Sequence, residues 1–272
     1  MTVLLTGATG FVGRQVHRAL VARGQTVRVV IRSGTAARLA APAERVVTTP
    51  DLFAEKAAWW AEACKDVEIV VHAAWYAESG QYLHSPKNQD CLAGTLELAR
   101  GAIAVGVRRF VGIGTCFEYD AAAGTLSVNT RLNPQTPYAA AKAATFQALS
   151  QLLPSRGVGF AWCRLFYLYG EGEDARRLVR YLRHRLSRGE PAELTSGTQV
   201  RDFLDVAEAG AMIAGVAVGT VQGPVNICSG VPVTVRELAE RICDEYGGRR
   251  HLLRFGARPD NAFDPTRVVG VR

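Results

Sequence analysis

A doubly wound α/β fold with a second, smaller α/β lobe is what this sequence predicts, on three observations. Short β-rich runs alternate with helix-length segments from the N-terminus to Phe166. Runs such as VEIVV are apolar almost throughout. A glycine-rich turn joins the first run to the first helical pattern. The alternation implies parallel strands joined by right-handed crossovers, and strands without a polar face imply a sheet covered on both sides. Together they describe a doubly wound sheet.

In chain order the pattern reads TVLLTG, helix 11–23, VRVVIR and a loop, RVVTT, helix 54–65, VEIVVHAA, helix 92–105, RRFVGIGT, helix 138–153 and GFAWCRLF. After Phe166 the texture changes: 171–201 is Arg-rich and broken by glycines, 202–219 is a small-residue helix, VNICS is a strand and 232–246 is an amphipathic helix. The predicted division is 1–170 with 202–228 as the dinucleotide-binding domain, and 171–201 with 229–272 as the substrate lobe. The turn signal before Arg272 leaves open whether more chain follows.

With 272 residues, 48% of them hydrophobic and 21% charged, the chain is long enough to bury a sizeable core. The apolar start lacks the basic flank and cleavage site of a signal peptide, and no apolar run is long enough to span a bilayer. A soluble, cytoplasmic protein with no membrane partner is expected. The six cysteines are scattered without a C-x-x-C pair or a histidine cluster, so reduced core thiols and no metal site are expected. The net charge of +7 is dispersed over helical segments, which fits a solvated surface and argues against nucleic acid as a partner.

Gly7, Ala8, Thr9, Gly10, Phe11, Val12 and Gly13 follow a strand and open a helix, the context in which backbone N–H groups at a helix N-terminus meet a pyrophosphate. This is a Rossmann-type loop rather than a mere strand-to-helix turn. The next strand ends in Arg32 and Ser33, where NAD-binding sheets usually carry an acid for the ribose hydroxyls. A guanidinium there can pair with a 2′-phosphate, so NADP(H) is expected over NAD(H); the alternative is that Arg32 only stacks on adenine.

Tyr138 and Lys142 stand four apart just after Pro137, on one face at the start of a helix. An ammonium there would lower the tyrosine pKa from about 10 toward working pH, fitting the phenol to exchange a proton with a carbinol or carbonyl oxygen.

These motifs together resemble the extended short-chain dehydrogenase/reductase family of nucleotide-sugar epimerases, dehydratases and ketoreductases. The resemblance runs through GATGFVG, Asp51-Leu52, VVHAA, GIGTCFEY, YAAAK, RLFYLYG and VRDFLDV. It implies that Thr115 hydrogen-bonds the reacting oxygen, that Tyr138 is the acid/base, and that Lys142 also holds the nicotinamide ribose. It further implies that Asp51 and Leu52 approach the adenine, that Ala73 and Ala74 line the cofactor crevice, and that Arg201 and Arg258 reach a substrate diphosphate. Ion pairs of these arginines with Asp202 and Asp260 are the competing reading. The partner implied is a nucleoside-diphosphate sugar, and the family's dimers pair the helices corresponding to 92–105 and 138–153.

Departures from the family pattern narrow the expectation. The Asp-Glu that follows the threonine in 4,6-dehydratases is Cys116 and Phe117, the asparagine of RxFN is Tyr167, and the asparagine three residues before Gly94 is Cys91. Dehydratase chemistry is disfavoured, and the chain looks nearest to nucleotide-sugar 4-ketoreductases of deoxysugar biosynthesis. An epimerase with bound NAD and a non-catalytic NAD(P)-binding sensor or scaffold are the alternatives. The base and sugar stereochemistry depend on loop shape and are not written in a motif.

Overall fold

The computed structural model describes residues 1–261 and 264–272. The first half of the chain lays down β1 (Thr2–Thr6), α1 (Phe11–Ala22), β2 (Thr26–Arg32), β3 (Arg45–Thr49), α2 (Ala57–Ala63), β4 (Ile69–His72), α3 (Lys87–Ala104), β5 (Arg109–Thr115) and β6 (Thr125–Leu126). The second half adds α4 (Pro137–Leu152), β7 (Gly159–Leu165), β8 (Tyr167–Tyr169), α5 (Leu178–Ser187), β9 (Ala192–Glu193), β10 (Val200–Asp205) and α6 (Val206–Val218). It closes with β11 (Gly223–Ile227), β12 (Pro232–Thr234), α7 (Val235–Glu245), β13 (Leu253–Arg254) and β14 (Arg267–Gly270).

Seven strands form one parallel sheet in the order β11-β7-β5-β4-β1-β2-β3. Successive side chains of each strand enter opposite cores, as pleating requires. Val3 and Leu5 pack with Val29 and Ile31 beneath α1 and α6, whereas Leu4 and Val30 pack with Phe110, Trp60 and Leu98 beneath α2, α3 and α4. The near-continuous apolar strands are thus buried on both faces.

A second sheet runs β12-β10-β14-β6, with β8 also paired to β10, and β13 pairs with β9. Val179, Leu182 and Leu186 of α5 meet Ala239, Ile242 and Cys243 of α7 in a third core. A small fourth core, with Cys116, Tyr119, Phe166 and Cys228, lies where the two sheets meet.

Element ends differ from the sequence pattern for identifiable reasons. Helix α3 starts at Lys87 because Pro86 takes its N-cap, and α2 is shorter than 54–65 because Asp51 turns the chain back on the Phe53 N–H. Residues 202–205 belong to a strand; α6 begins only where Asp205 accepts a hydrogen bond from the Ala207 N–H. Likewise 232–234 pair with β10, and α7 starts after a capping box of Thr234 and Glu237. All six cysteines are buried and unpaired. No helix among the described residues is long and apolar enough to cross a membrane.

Candidate active site

The β1–α1 turn is built for close backbone approach. Gly7 has φ +73°, and a Cβ there would lie 2.7 Å from the Ala74 nitrogen; a Cβ on Gly13 would lie 2.1 Å from the Gly7 carbonyl oxygen. Only glycine fits either place. The turn thereby seats against Ala73 and Ala74, which follow β4. Behind them a buried chain fixes the spacing: the Ala74 N–H donates to Thr6 Oγ1 at 3.2 Å, Thr6 Oγ1 is 2.8 Å from His72 Nδ1, and His72 Nε2 is 2.9 Å from Thr95 Oγ1. Because the Thr95 hydroxyl donates to the Cys91 carbonyl, the His72 proton is assigned to Nε2, and the Thr6 hydroxyl donates to Nδ1. Burial holds His72 down to about 3, so it is neutral.

Gly10 caps α1 without a side chain, and the first turn, which includes Phe11 and Val12, carries no acid. Thr9 in the turn is half-buried. The positive end of the helix is therefore free for an anion. Arg32 and Ser33 stand exposed at the tip of β2, where the Ser33 N–H donates to the Thr49 carbonyl. Arg32 forms no ion pair among the described residues. Asp51 is exposed and Leu52 is half-buried at the edge of the core. A glycine cradle, a bare helix N-terminus and an exposed guanidinium at the next strand tip suit the phosphates of a dinucleotide.

Thr115 ends β5, and Thr136 caps α4 by accepting from the Ala139 N–H, with Pro137 as the first helical residue. That start places Tyr138 and Lys142 one turn apart, facing Thr115. The Thr115 hydroxyl lies close enough to the Tyr138 phenol to oppose the rise of its pKa. Tyr82 and Trp75 meet the Tyr138 ring edge-on at 4.8 and 6.4 Å. Lys142 Nζ donates to the Ile113 carbonyl at 2.6 Å and lies 3.7 Å above the Trp75 ring, whose Nε1 donates to Asn88 Oδ1.

The electrostatics differ from the sequence expectation. Burial raises the Tyr138 phenol well above its ordinary range, with Tyr82 and Glu118 adding to the rise and the Thr115 hydroxyl opposing it. The Lys142 ammonium is directed to a carbonyl and an indole rather than to the phenol, so burial wins. Burial also brings Lys142 down to about 7, against the pull of Glu118 and Cys91.

The substrate side continues from Thr115. Cys116 is buried and its thiol is raised by burial; Phe117 meets the Tyr167 ring edge-on at 6.1 Å. The Arg201 guanidinium lies 5.2 Å from the Tyr167 ring centre, 3% exposed, and pairs with Asp264 at 2.7 Å. The Asp202 pairing considered from sequence does not occur: that carboxylate accepts from the N–H groups of Ser229, Gly230 and Gly270. Arg258 stands apart from this group, exposed over the Tyr181 ring and 4.0 Å from Glu193, while Asp260 accepts from Ser196 and Gln199.

Two contributors escaped the sequence reading. Trp75, just after Ala73 and Ala74, lies 3.7 Å from Lys142 Nζ and meets the Tyr138 ring edge-on. Glu118 is fully buried, accepting from the Thr115 N–H, Trp162 Nε1 and Arg164 Nε. The T-x-x-E spacing of Thr115 and Glu118, a capping box, is the signal that could have marked it.

Comparison with known proteins adds an independent line. A family model described as the NAD dependent epimerase/dehydratase family matches residues 3–228. A relative from Aggregatibacter actinomycetemcomitans, dTDP-6-deoxy-L-talose 4-dehydrogenase (NAD(+)), is 23% identical over 276 residues, covering 100% of both chains. The UDP-N-acetylglucosamine 4-epimerase of Methanobrevibacter ruminantium shares the fold at a TM-score of 0.87 and 21% identity, over 99% of this chain and 89% of the other. The UDP-glucose 4-epimerase of Thermus thermophilus, solved with NAD, gives a TM-score of 0.83 at 25% identity, over 100% and 90%.

Proposed function

The chain belongs to the NAD-dependent epimerase/dehydratase family, and from that premise we propose that it reduces the 4-keto group of a nucleoside-diphosphate 4-keto-6-deoxyhexose, using NADPH. The observation that carries this reading is that Tyr138 and Thr115 come together while, among the described residues, the side chains that follow Thr115 offer no free acid or base. Of the next residues, Cys116 holds its thiol protonated by burial, Phe117 is inert, and the Glu118 carboxylate is fully taken up by Thr115, Trp162 and Arg164. Such a site moves one proton at one oxygen. Eliminating water from a sugar needs more.

Tyr138, a neutral phenol, is the proton donor to the oxygen at C4, and Thr115 hydrogen-bonds that oxygen as charge develops on it. Lys142, one helical turn from Tyr138, would supply a donor for ribose hydroxyls and, when protonated, positive charge on that side of the site. When bound, reduced nicotinamide supplies the hydride. Gly7, Thr9, Gly10, Phe11, Val12 and Gly13 would hold the pyrophosphate, Ala73 and Ala74 the inner crevice, and Asp51 and Leu52 the adenine. Arg32 and Ser33 would take the 2′-phosphate. Arg201, aligned against Tyr167, is the residue suited to the sugar nucleotide's diphosphate.

The name of the Aggregatibacter relative supports the C4 assignment: a 4-dehydrogenase run in reverse is a 4-ketoreductase, although that enzyme is named for NAD(+). The Thermus enzyme, an epimerase solved with NAD, supports the rival reading of 4-epimerisation on retained NAD by the same Thr115, Tyr138 and Lys142. Incubation with NADPH and a dTDP- or UDP-4-keto-6-deoxyhexose separates them. One NADPH consumed per sugar reduced is expected; interconversion of 4-epimers with no net consumption would overturn the proposal.

A further inference from the structure

We infer that Glu118 is a positioning residue of this site: its carboxylate, sealed behind Thr115, holds that residue's backbone in place and supplies the negative charge that helps Lys142 hold its proton. The inference rests on the reading of Tyr138 and Lys142 as the reacting pair.

The geometry asks for more than a cap. Thr115 caps the short turn Cys116–Glu118, and Glu118 returns its side chain to the Thr115 N–H at 2.8 Å. A neutral glutamine could accept that bond as well. Here the carboxylate is 0% exposed and ion-paired at 2.7 Å with an Arg164 that is 1% exposed. Taking such a pair out of water is costly, so a site that needed only a cap would gain by being neutral. Its place is also reserved by the strand: a Cβ on Gly114 would lie 2.4 Å from Glu118 Oε1 and 2.2 Å from Trp162 Nε1.

Both charges are anchored on one short stretch of β5, since Lys142 Nζ is bound to the Ile113 carbonyl and Glu118 to the Thr115 N–H. Among the described residues, the other groups around Lys142 bring no anion. From α3 comes the Cys91 thiol, pushed up to about 11 by burial; from β4 comes neutral His72; from its own helix comes the protonated Tyr138. The remaining faces are the rings of Trp75 and Trp162. Arg164 directs its guanidinium elsewhere, 4.5 Å from the Tyr119 ring centre and 4.7 Å from that of Phe146, with a hydrogen bond to the Tyr119 hydroxyl. Lys142 therefore feels the carboxylate more than its partner.

The chain has four lysines, Lys56, Lys65, Lys87 and Lys142, so protein labelled with 13C-lysine gives a short spectrum in which Lys142→Arg identifies the resonance by its loss. A pH titration of the resting protein, without cofactor or substrate, should show Lys142 with a midpoint near 7. In Glu118→Gln the midpoint should fall by about one pH unit or more, the effect of removing an opposite charge at close range. An unmoved midpoint overturns the inference, because a purely structural role would lower the melting temperature without touching this titration. If the single variant, with Arg164 left unpaired, does not fold, the double variant Glu118→Gln, Arg164→Met is titrated instead; it must shift in the same direction, and an unmoved or raised midpoint overturns the inference. Failure of the reductase reading would show separately, as Tyr138→Phe retaining turnover.

Discussion

In the proposed reduction Tyr138 enters as a neutral phenol, and that state decides what its removal should do. Burial holds the proton on. Tyr138→Phe keeps the ring between Tyr82 and Trp75 but loses the hydroxyl, so turnover should fall about 100-fold or more while NADPH affinity is nearly unchanged. More than about a tenth of the original rate would remove Tyr138 as the acid. Lys142 gives a prediction that needs no substrate. Its folded pKa, about 7, lies below the unfolded value of about 10.4, so between these the unfolded chain binds the extra proton and stability rises with pH. Below pH 7 the buried ammonium carries its full cost. Lys142→Met should therefore gain more stability at pH 6 than at pH 9, by on the order of 2 kcal/mol. Equal effects at both pH values in thermal melts would show that Lys142 does not titrate in this window.

The β1–α1 turn and the tip of β2 act as units, and each shows why parts of this protein were legible in its sequence. Two-sided burial writes parallel strands as apolar runs, a turn that seats on Ala73 and Ala74 writes itself as Gly7 and Gly13, and one helical turn writes Tyr138 and Lys142 four apart. The second sheet was not legible, because β6, β8, β12 and β14 are two to four residues long and pair across distant parts of the chain. Short strands leave no periodicity to read. For the same reason Arg201 could be placed by motif but its partner could not; Asp264 reaches it from the loop before β14. At the tip of β2, a free Arg32 predicts that Arg32→Asp weakens NADPH relative to NADH by roughly tenfold or more, since one charge-assisted contact becomes a repulsion. An unchanged ratio of the two dissociation constants would refute the 2′-phosphate assignment.

The whole molecule presents α3 and α4 on one outer face, with a groove between them lined by Gln89, Leu92, Ala140 and Ala144 among others. Small residues allow close helix approach, so we propose that two copies pair there. Light scattering at micromolar concentration should give twice the 29.3 kDa chain mass, and Ala144→Arg should halve it; a wild-type monomer would contradict this. Between that face and the smaller sheet, the proposed chemistry is one event: hydride arrives at C4 of the sugar and a single proton arrives from Tyr138. The most direct measurement follows the hydride itself, by mass spectrometry and NMR of the product formed from [4,4-2H2]NADPH and a dTDP-4-keto-6-deoxyhexose. One deuterium at C4 of a 6-deoxyhexose nucleotide, with an equivalent of NADP+ released, is the predicted result. A product without deuterium, or 4-epimers interconverted while the labelled cofactor is left intact, would contradict it.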